Sequence, residues 1–279
     1  FIFHYLCAAN YVFKRIMRFF SLAFYTILFL LLPLMANAQE TVESAPQVTD
    51  SIQKMIAKRG KYILETFASR KKIDIDYQKV EEYVTQNAEG YKQLMNRFWD
   101  DPNSLNEEEA AMLYYGYAFT KDYTPENIDL NVKLLEAFND KDPANAFTAY
   151  KKESKRTPVS LSLLMNTSLL AGKMGMGESK KKYMQMAMKM LSGIMASGTG
   201  YSKEKAIKVL YIADEYAIFC DLMGMSMTKQ EFYEDRYDRM TLDTGNDGES
   251  IILWFDTYLN HQKLMQNNAK NRKQKKNKK

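Results

Sequence analysis

Three acidic side chains in one apolar segment are the strongest catalytic candidates in the sequence. Asp214, Glu215 and Asp221 interrupt the mostly apolar run between Lys203 and Met223. Two carboxylates facing one cleft can hydrolyse a glycosidic bond. On a helix, however, neighbouring residues diverge by about 100°, and residues seven positions apart are separated by ~10 Å. The spacing therefore favours surface or ion-paired carboxylates, and a carboxylate-based hydrolase acting on glycan or cell wall is the alternative function.

Other catalytic and metal-binding patterns are missing from the sequence. It contains no Gly-x-Ser-x-Gly, His-Glu-x-x-His or Cys-x-x-Cys, the patterns of hydrolases and of zinc or redox sites. Gly198-Thr199-Gly200 lacks the third glycine and the preceding strand of a dinucleotide-binding loop, so helix entry is favoured over anion binding. We predict no catalytic residue, no metal site and no cofactor.

Methionine is abundant, with 18 residues, and thioether sulfur is a ligand for monovalent copper. Met184, Met186, Met188 and Met190 alternate along a predicted helix, which divides them between two faces instead of gathering them at one ion. Flexible filling of the core is therefore the favoured role.

A cluster of tyrosines provides the candidate binding residues. Tyr114, Tyr115, Tyr117 and Tyr123 lie within ten positions of one another. Tyrosine rings can stack on a sugar or other ligand, and they can equally pack between helices with their hydroxyls reaching polar partners. Packing is the favoured interpretation, but if the protein binds a ligand, these four residues are the predicted site.

The amino-terminal sequence predicts export. After Met17, Arg18 precedes an apolar run from Phe19 to Leu34, and Ala36-Asn37-Ala38 follows. This is the order of a secretory signal peptide with a small-residue cleavage site. We therefore expect residues 1–38 to be a signal peptide, with 1–16 as an upstream extension, and the protein to be periplasmic or extracellular. An uncleaved membrane anchor is the alternative, although the run is shorter than the ~20 residues that span a bilayer.

Composition divides the remainder of the chain into three parts. Residues 39–50 are polar and predict a flexible tether, 51–262 a single domain, and 263–279 a basic disordered tail. The formal net charge is +5, but acidic residues outnumber basic ones between the leader and the tail. A nucleic-acid-binding domain should itself be basic, so we expect no nucleic-acid partner, and no membrane contact beyond an uncleaved leader.

The apolar spacing predicts a mainly α fold of antiparallel helix pairs, loosely tetratrico-like, with a short C-terminal β-hairpin. A central helix is expected over Lys203–Met223, capped by Ser202 and ended by Gly224. Helices are also expected after Thr124-Pro125, Asp142-Pro143 and Thr157-Pro158, because proline suits the first helical position. A short helix is predicted from Thr228 to Arg236, followed by hairpin strands at 237–243 and 250–256.

Several short motifs resemble an exported Bacteroidota family known as domain of unknown function 4919. They are Leu113-Tyr-Tyr-Gly-Tyr with Tyr123-Thr-Pro, Ser197-Gly-Thr-Gly-Tyr-Ser, Asp214-Glu215-Tyr216 and Trp254-Phe255-Asp256. The resemblance covers about Asp76 to Lys263, and Thr199 stands where the family often has an acidic residue. It implies no established activity and no catalytic residue. The predicted function is a non-enzymatic binding or interaction module of the cell envelope, whose partner is a protein, a peptide or a glycan.

Overall fold

Helices form most of the part of the chain that the computed structural model describes, namely residues 45–125, 134, 142–245 and 248–276. From Val48 onward these residues belong to one compact unit. In chain order the helices are α1 (Ala45–Ala68), α2 (Tyr77–Gln86), α3 (Ala88–Asp100), α4 (Glu107–Gly116), α5 (Pro143–Arg156), α6 (Leu161–Lys173), α7 (Gly177–Met195), α8 (Ile212–Tyr216) and α9 (Tyr258–Lys276). Helix α8 continues as a π-helical turn, Ala217–Leu222.

Local capping chemistry explains where several helices begin. Asp76 accepts from Gln78 N–H at 3.0 Å at the start of α2, which satisfies a backbone donor that the helix itself leaves open. At the start of α4, Asn106 accepts from Glu109 N–H while the Glu109 carboxylate accepts from Asn106 N–H, so the predicted capping box is confirmed.

Helix α7 crosses the middle of the helical layer. It packs against α4 on one side and α6 on another, and α5 packs against α6. Met186, Met190 and Ile194 of α7 are fully buried in this core. Because α4 and α7 are distant in sequence, their contact differs from the neighbour-only stacking of helical repeats. The mainly helical class is confirmed, and tetratrico-like pairing is not.

A small four-stranded sheet lies in the C-terminal part of the chain. Its strands are β1 (Ile207–Lys208), β2 (Ser226–Tyr233), β3 (Tyr237–Asp243) and β4 (Ser250–Asp256), in the spatial order β1-β4-β3-β2. Strand β1 runs parallel to β4, and the other pairs are antiparallel. The predicted hairpin is therefore confirmed as β3 and β4, within a sheet that has two further strands.

The predicted central helix is wrong over its first half. A 3-10 turn occupies Lys203–Lys205, β1 follows, and α8 begins only at Ile212. Ser202 makes no side-chain cap. The physical reason is tertiary: Ile207 pairs with Phe255 of β4, so the segment crosses the core as extended chain. A buried extended segment has apolar residues on both sides. Its sequence pattern therefore resembles that of a helix buried on two faces. The stop at Gly224 is confirmed, with φ of +69°.

The predicted helix from Thr228 to Arg236 is also wrong, because this segment is β2. Its residues pair with β3 from Ser226↔Asp243 to Tyr233↔Tyr237. Glu234 and Asp235 form the connecting turn with φ of 56° and 50°. Two positive φ angles match the twist of a hairpin, but glycine or asparagine usually marks such a turn. The sequence therefore gave no hairpin signal here.

Three smaller boundaries differ from the sequence prediction. Helix α1 begins at Ala45, inside the predicted tether, and α9 extends through the predicted disordered tail as far as Lys276. Asp142-Pro143 opens α5 as predicted, whereas α6 is capped by Ser160 and not by Thr157. The helix expected after Thr124-Pro125 lies outside the described residues, as does the predicted signal peptide.

No helix among the described residues is long and apolar enough to cross a membrane.

The crossing of α4 and α7 depends on Gly193. A Cβ at this position would lie 2.7 Å from Ala110 C and 2.7 Å from Ala111 N, both backbone atoms that cannot rotate away. We predict that Gly193→Ala destabilises the protein by about 1–3 kcal/mol, the range typical of overpacked cores. Urea unfolding followed by circular dichroism measures this change.

Gly177, at the start of the same helix, supplies the control. A Cβ there meets no atom within 4 Å. Gly177→Ala should leave stability unchanged or raise it by about 0.4–1 kcal/mol, since alanine restricts the unfolded chain. Equal stability of the two variants would contradict the close crossing.

Candidate functional site

The four candidate tyrosines lie in the interior. Tyr114, Tyr115, Tyr117 and Tyr123 are all buried, and the Tyr114 and Tyr115 rings meet edge to face at 5.0 Å. Their hydroxyls donate to internal acceptors, for example Tyr115 to Lys208 O at 2.9 Å and Tyr117 to Arg156 O at 2.7 Å. The four rings therefore pack in the interior, which agrees with the packing interpretation. Their burial leaves no accessible ring face for the ligand platform that the sequence offered as the other role.

The Tyr114 hydroxyl is hydrogen-bonded to the buried carboxylate of Asp214. The hydroxyl donates to Asp214 Oδ2 at 2.7 Å and accepts from Leu210 N–H at 2.9 Å. The other carboxylate oxygen, Oδ1, accepts from Ser162 N–H at 3.0 Å and from the Ser160 hydroxyl at 3.2 Å. Asp214 thus joins α4, the start of α6 and the segment before α8 in one hydrogen-bonded cluster.

Two further side chains join this cluster through the backbone carbonyl of Leu210. The Leu210 carbonyl accepts from the Tyr123 hydroxyl at 3.0 Å and from Asn260 Nδ2 at 2.9 Å. The N–H and carbonyl of one buried residue are therefore both satisfied by side chains from distant parts of the chain. Asn260 was not identified from the sequence, because an asparagine early in a helix gives no signal of such a distant contact.

The electrostatics of Asp214 follow from its burial. Loss of hydration raises the pKa of its carboxyl to about 6, and the hydrogen bonds from Ser162 and Tyr114 oppose that rise. A group that is wholly enclosed and fully hydrogen-bonded has no contact with a substrate. Its geometry is that of an internal connector between helices.

The other two acids do not form a catalytic pair with it. Glu215 is also fully buried, whereas Asp221 is exposed on the π-helical turn. A hydrolytic pair needs both carboxylates in one water-filled cleft, and burial removes Asp214 and Glu215 from solvent. These residues therefore give the hydrolase alternative no geometric support.

The methionines divide as their spacing predicts. Met186 and Met190 are fully buried, while Met184 and Met188 are exposed, so the four thioethers do not converge. Within the described residues, no group of three or more His, Cys, Asp and Glu side chains is arranged to hold a metal ion.

Surface depressions offer little for catalysis. Two open ones, of about 480 and 510 Å³, lie beside α4. Lys71, Lys72 and Glu107 are among the residues lining the first, and the Arg97–Glu109 ion pair lines the second. Neither depression is lined by the four tyrosines or the three acids considered above.

The solvent side of the sheet is the most distinctive surface that the structure describes. Met240, Leu242, Leu253 and Phe255 are fully buried and define the core side of β3 and β4. Alternate residues of a strand point to opposite sides. We define the outer sheet face as six of the residues on the other side: Glu231 and Tyr233 of β2, Tyr237 and Arg239 of β3, and Ile252 and Trp254 of β4.

Aromatic and charged groups are interleaved on the outer sheet face. The rings of Tyr233 and Trp254 lie 5.4 Å apart. The Arg239 guanidinium is 5.9 Å from the Trp254 ring and forms an ion pair with Glu231. Tyr233 and Ile252 are each 38% exposed. The sequence prediction missed this face because β2 was interpreted as a helix, which hid the position of Tyr233 beside Trp254.

Asp214 predicts a pH-dependent stability. Its pKa is about 6 in the folded protein against an ordinary 3.8, so between these values the folded state binds more protons than the unfolded state. The contribution of Asp214 to the free energy of unfolding is therefore fully present below the pKa of the unfolded state. It is lost as the pH rises through 6. Wild type should therefore gain stability over Asp214→Asn as pH falls from 7 to 4, by at most about 1.4 kcal/mol per pH unit.

Urea unfolding of both proteins at pH 7, 6, 5 and 4 measures this difference. Subtracting one curve from the other removes the titration of every other group that the two proteins share. Parallel curves would show that Asp214 does not titrate in this range.

Comparison with known proteins identifies a family and no characterised relative. No curated protein matches the chain, and no solved structure matches it either. The model of one family, described as Domain of unknown function (DUF4919), matches residues 78–268. This range includes the buried Asp214 cluster and the whole sheet. Because the match covers more than half of the 279 residues, the chain belongs to the DUF4919 family, whose description assigns no function.

Proposed function

We propose that this protein is a non-catalytic binding module of the cell envelope and that its outer sheet face binds a glycan. The observation that carries the proposal is the ring pair of Tyr233 and Trp254, 5.4 Å apart on the solvent side of the sheet. On the opposite side of β3 and β4, Met240, Leu242, Leu253 and Phe255 fill the core. The aromatic pair is therefore not required to fill the protein interior.

The chemistry of the outer sheet face suits a sugar. One face of a sugar ring is lined by C–H groups and packs against an aromatic ring, and tyrosine and tryptophan combine such an apolar surface with a polar group. Arg239 and Glu231 stand beside the rings and supply donors and acceptors for sugar hydroxyls. Both charges are already paired with each other, so a neutral ligand can approach without leaving an unpaired charge buried.

Burial of the acids supports a binding role over hydrolysis. Asp214 and Glu215 are enclosed in the core, and Glu231, the carboxylate beside the ring pair, is paired with Arg239 and Lys229. Glycoside hydrolysis requires two carboxyl groups with different protonation states.

Export is the second part of this proposal, and the leader sequence supports it. The charged residue, apolar run and Ala36-Asn37-Ala38 motif stand in the order that signal peptidase recognises. We predict that the mature protein begins at Gln39. Mass spectrometry of the amino terminus from periplasmic and extracellular fractions tests this. A protein that keeps Phe19–Leu34 in the membrane fraction would contradict it.

Binding is tested by substitution of Trp254. Trp254→Ala removes half of the ring pair from a half-buried outer position, so the fold should persist while affinity falls at least tenfold. The probe is an array of soluble neutral and acidic oligosaccharides, followed by calorimetry with the strongest binder. Tyr233→Ala should weaken the same interaction.

Phe232 provides the matched control. It neighbours Tyr233 in β2, is 47% exposed, and points to the opposite side of the strand. Phe232→Ala removes a similar exposed aromatic ring and should leave the affinity unchanged. Two results would overturn the proposal: no oligosaccharide binds to wild type, or Phe232→Ala weakens binding as much as Trp254→Ala.

A further inference from the structure

Strand β2 forms the edge of the sheet. It pairs with β3 on one side, and in the described part of the chain no other strand or loop is hydrogen-bonded to its second side. An edge of this kind presents backbone N–H and carbonyl groups to another chain. With eight residues, β2 is also longer than the very short edge strands that avoid such pairing.

The usual protections of an edge are weak over most of β2. The strand contains no proline, and its irregularity lies at one end, between Met227 and Lys229. From Lys229 to Tyr233 the pairing with β3 is continuous. This regular portion also carries exposed aromatic surface, since Phe232 is 47% exposed.

We propose that a second copy of this chain pairs with β2, antiparallel and edge to edge, around a two-fold axis at Gln230. Two-fold symmetry is the commonest arrangement of homo-oligomers, and it brings the same surface of each subunit together. An axis perpendicular to the sheet keeps both outer faces on the same side. The two sheets then continue into each other.

Charge favours this register over an axis at either neighbouring residue. With the axis at Gln230, Lys229 lies opposite Glu231 of the partner subunit, and the pair occurs twice. Directly opposite residues of antiparallel strands have Cβ atoms about 5 Å apart, and opposite charges there are stabilising. An axis at Lys229 or at Glu231 would place that residue opposite its own copy, with like charges facing.

The charges already present in one subunit favour the same pairing. Glu231 lies between Arg239 of β3 and Lys229 on the solvent side of β2. Lys229 is the more exposed of the two β2 residues, with 62% of its side chain accessible against 26% for Glu231. In the dimer, Lys229 of one subunit adds a positive charge beside the negative Glu231 of the other, so the charges alternate across the joined sheets.

The test is a charge exchange followed by analytical ultracentrifugation of the purified protein. Wild type should sediment as a dimer at micromolar concentration. Lys229→Glu and Glu231→Lys should each weaken the dimer at least tenfold, because each places like charges opposite one another. An equimolar mixture of the two variants should restore a heterodimer, in which both facing pairs are again of opposite sign.

Native mass spectrometry distinguishes the heterodimer when one variant is uniformly labelled with a heavy nitrogen isotope, because lysine and glutamate residues have nearly the same mass. Lys181→Glu and Glu81→Lys make the same charge changes at exposed helical positions and should remain dimeric. Circular dichroism confirms that each variant is folded. A monomeric wild type, or a dimer that neither exchange weakens, would overturn the proposal, as would a mixture that stays monomeric. None of these results depends on glycan binding, so this inference and the proposed function can fail separately.

Discussion

The buried carboxylate of Asp214 is the constraint on which the rest of the structure depends. An ionised carboxylate in an apolar interior is costly unless donors surround it. Here three donors come from two separate places: the Tyr114 hydroxyl from α4, and the Ser160 hydroxyl and the Ser162 N–H from the start of α6. Removing any one donor leaves charge or a polar group unsatisfied in the core, which costs about 1–3 kcal/mol. The positions of α4 and α6 relative to α8 are thereby fixed.

This cluster also explains why the sheet carries the accessible surface. The hydroxyls of the tyrosines in α4 and in the segment after it donate to internal acceptors. The Leu210 carbonyl accepts from both Tyr123 and Asn260. The extended segment that contains Leu210 leads directly from β1, which pairs with β4. The core side of the sheet is thus tied to the polar cluster, and its other side remains open to solvent. The residues that we propose for ligand binding consequently lie on β2, β3 and β4.

The sequence predicted features that depend on residues close together in the chain. It did not predict those that depend on pairing between distant segments. The Asn106–Glu109 capping box and the strands at 237–243 and 250–256 depend on residues close together in the chain, and all were predicted. The extended chain at Ile207 depends on Phe255, 48 positions away in the sequence but its partner in the sheet. Strand β2 depends on a turn at Glu234 and Asp235 that lacks the usual glycine. The outer sheet face was missed because its geometry exists only once β2 is placed beside β3.

The two roles proposed for strand β2 use different directions of the strand. Its side chains on the solvent side contribute Tyr233 and Glu231 to the outer sheet face, whereas its backbone edge lies in the plane of the sheet. Pairing along the edge therefore leaves the aromatic rings uncovered. A two-fold axis perpendicular to the sheet would place two copies of the Tyr233–Trp254 ring pair on one continuous surface. A polymeric glycan could then contact both copies, and two linked weak sites bind such a ligand more tightly than one site alone. The proposed dimer thus gives a physical reason why the glycan-binding face proposed here, with its modest aromatic surface, would retain an extended ligand.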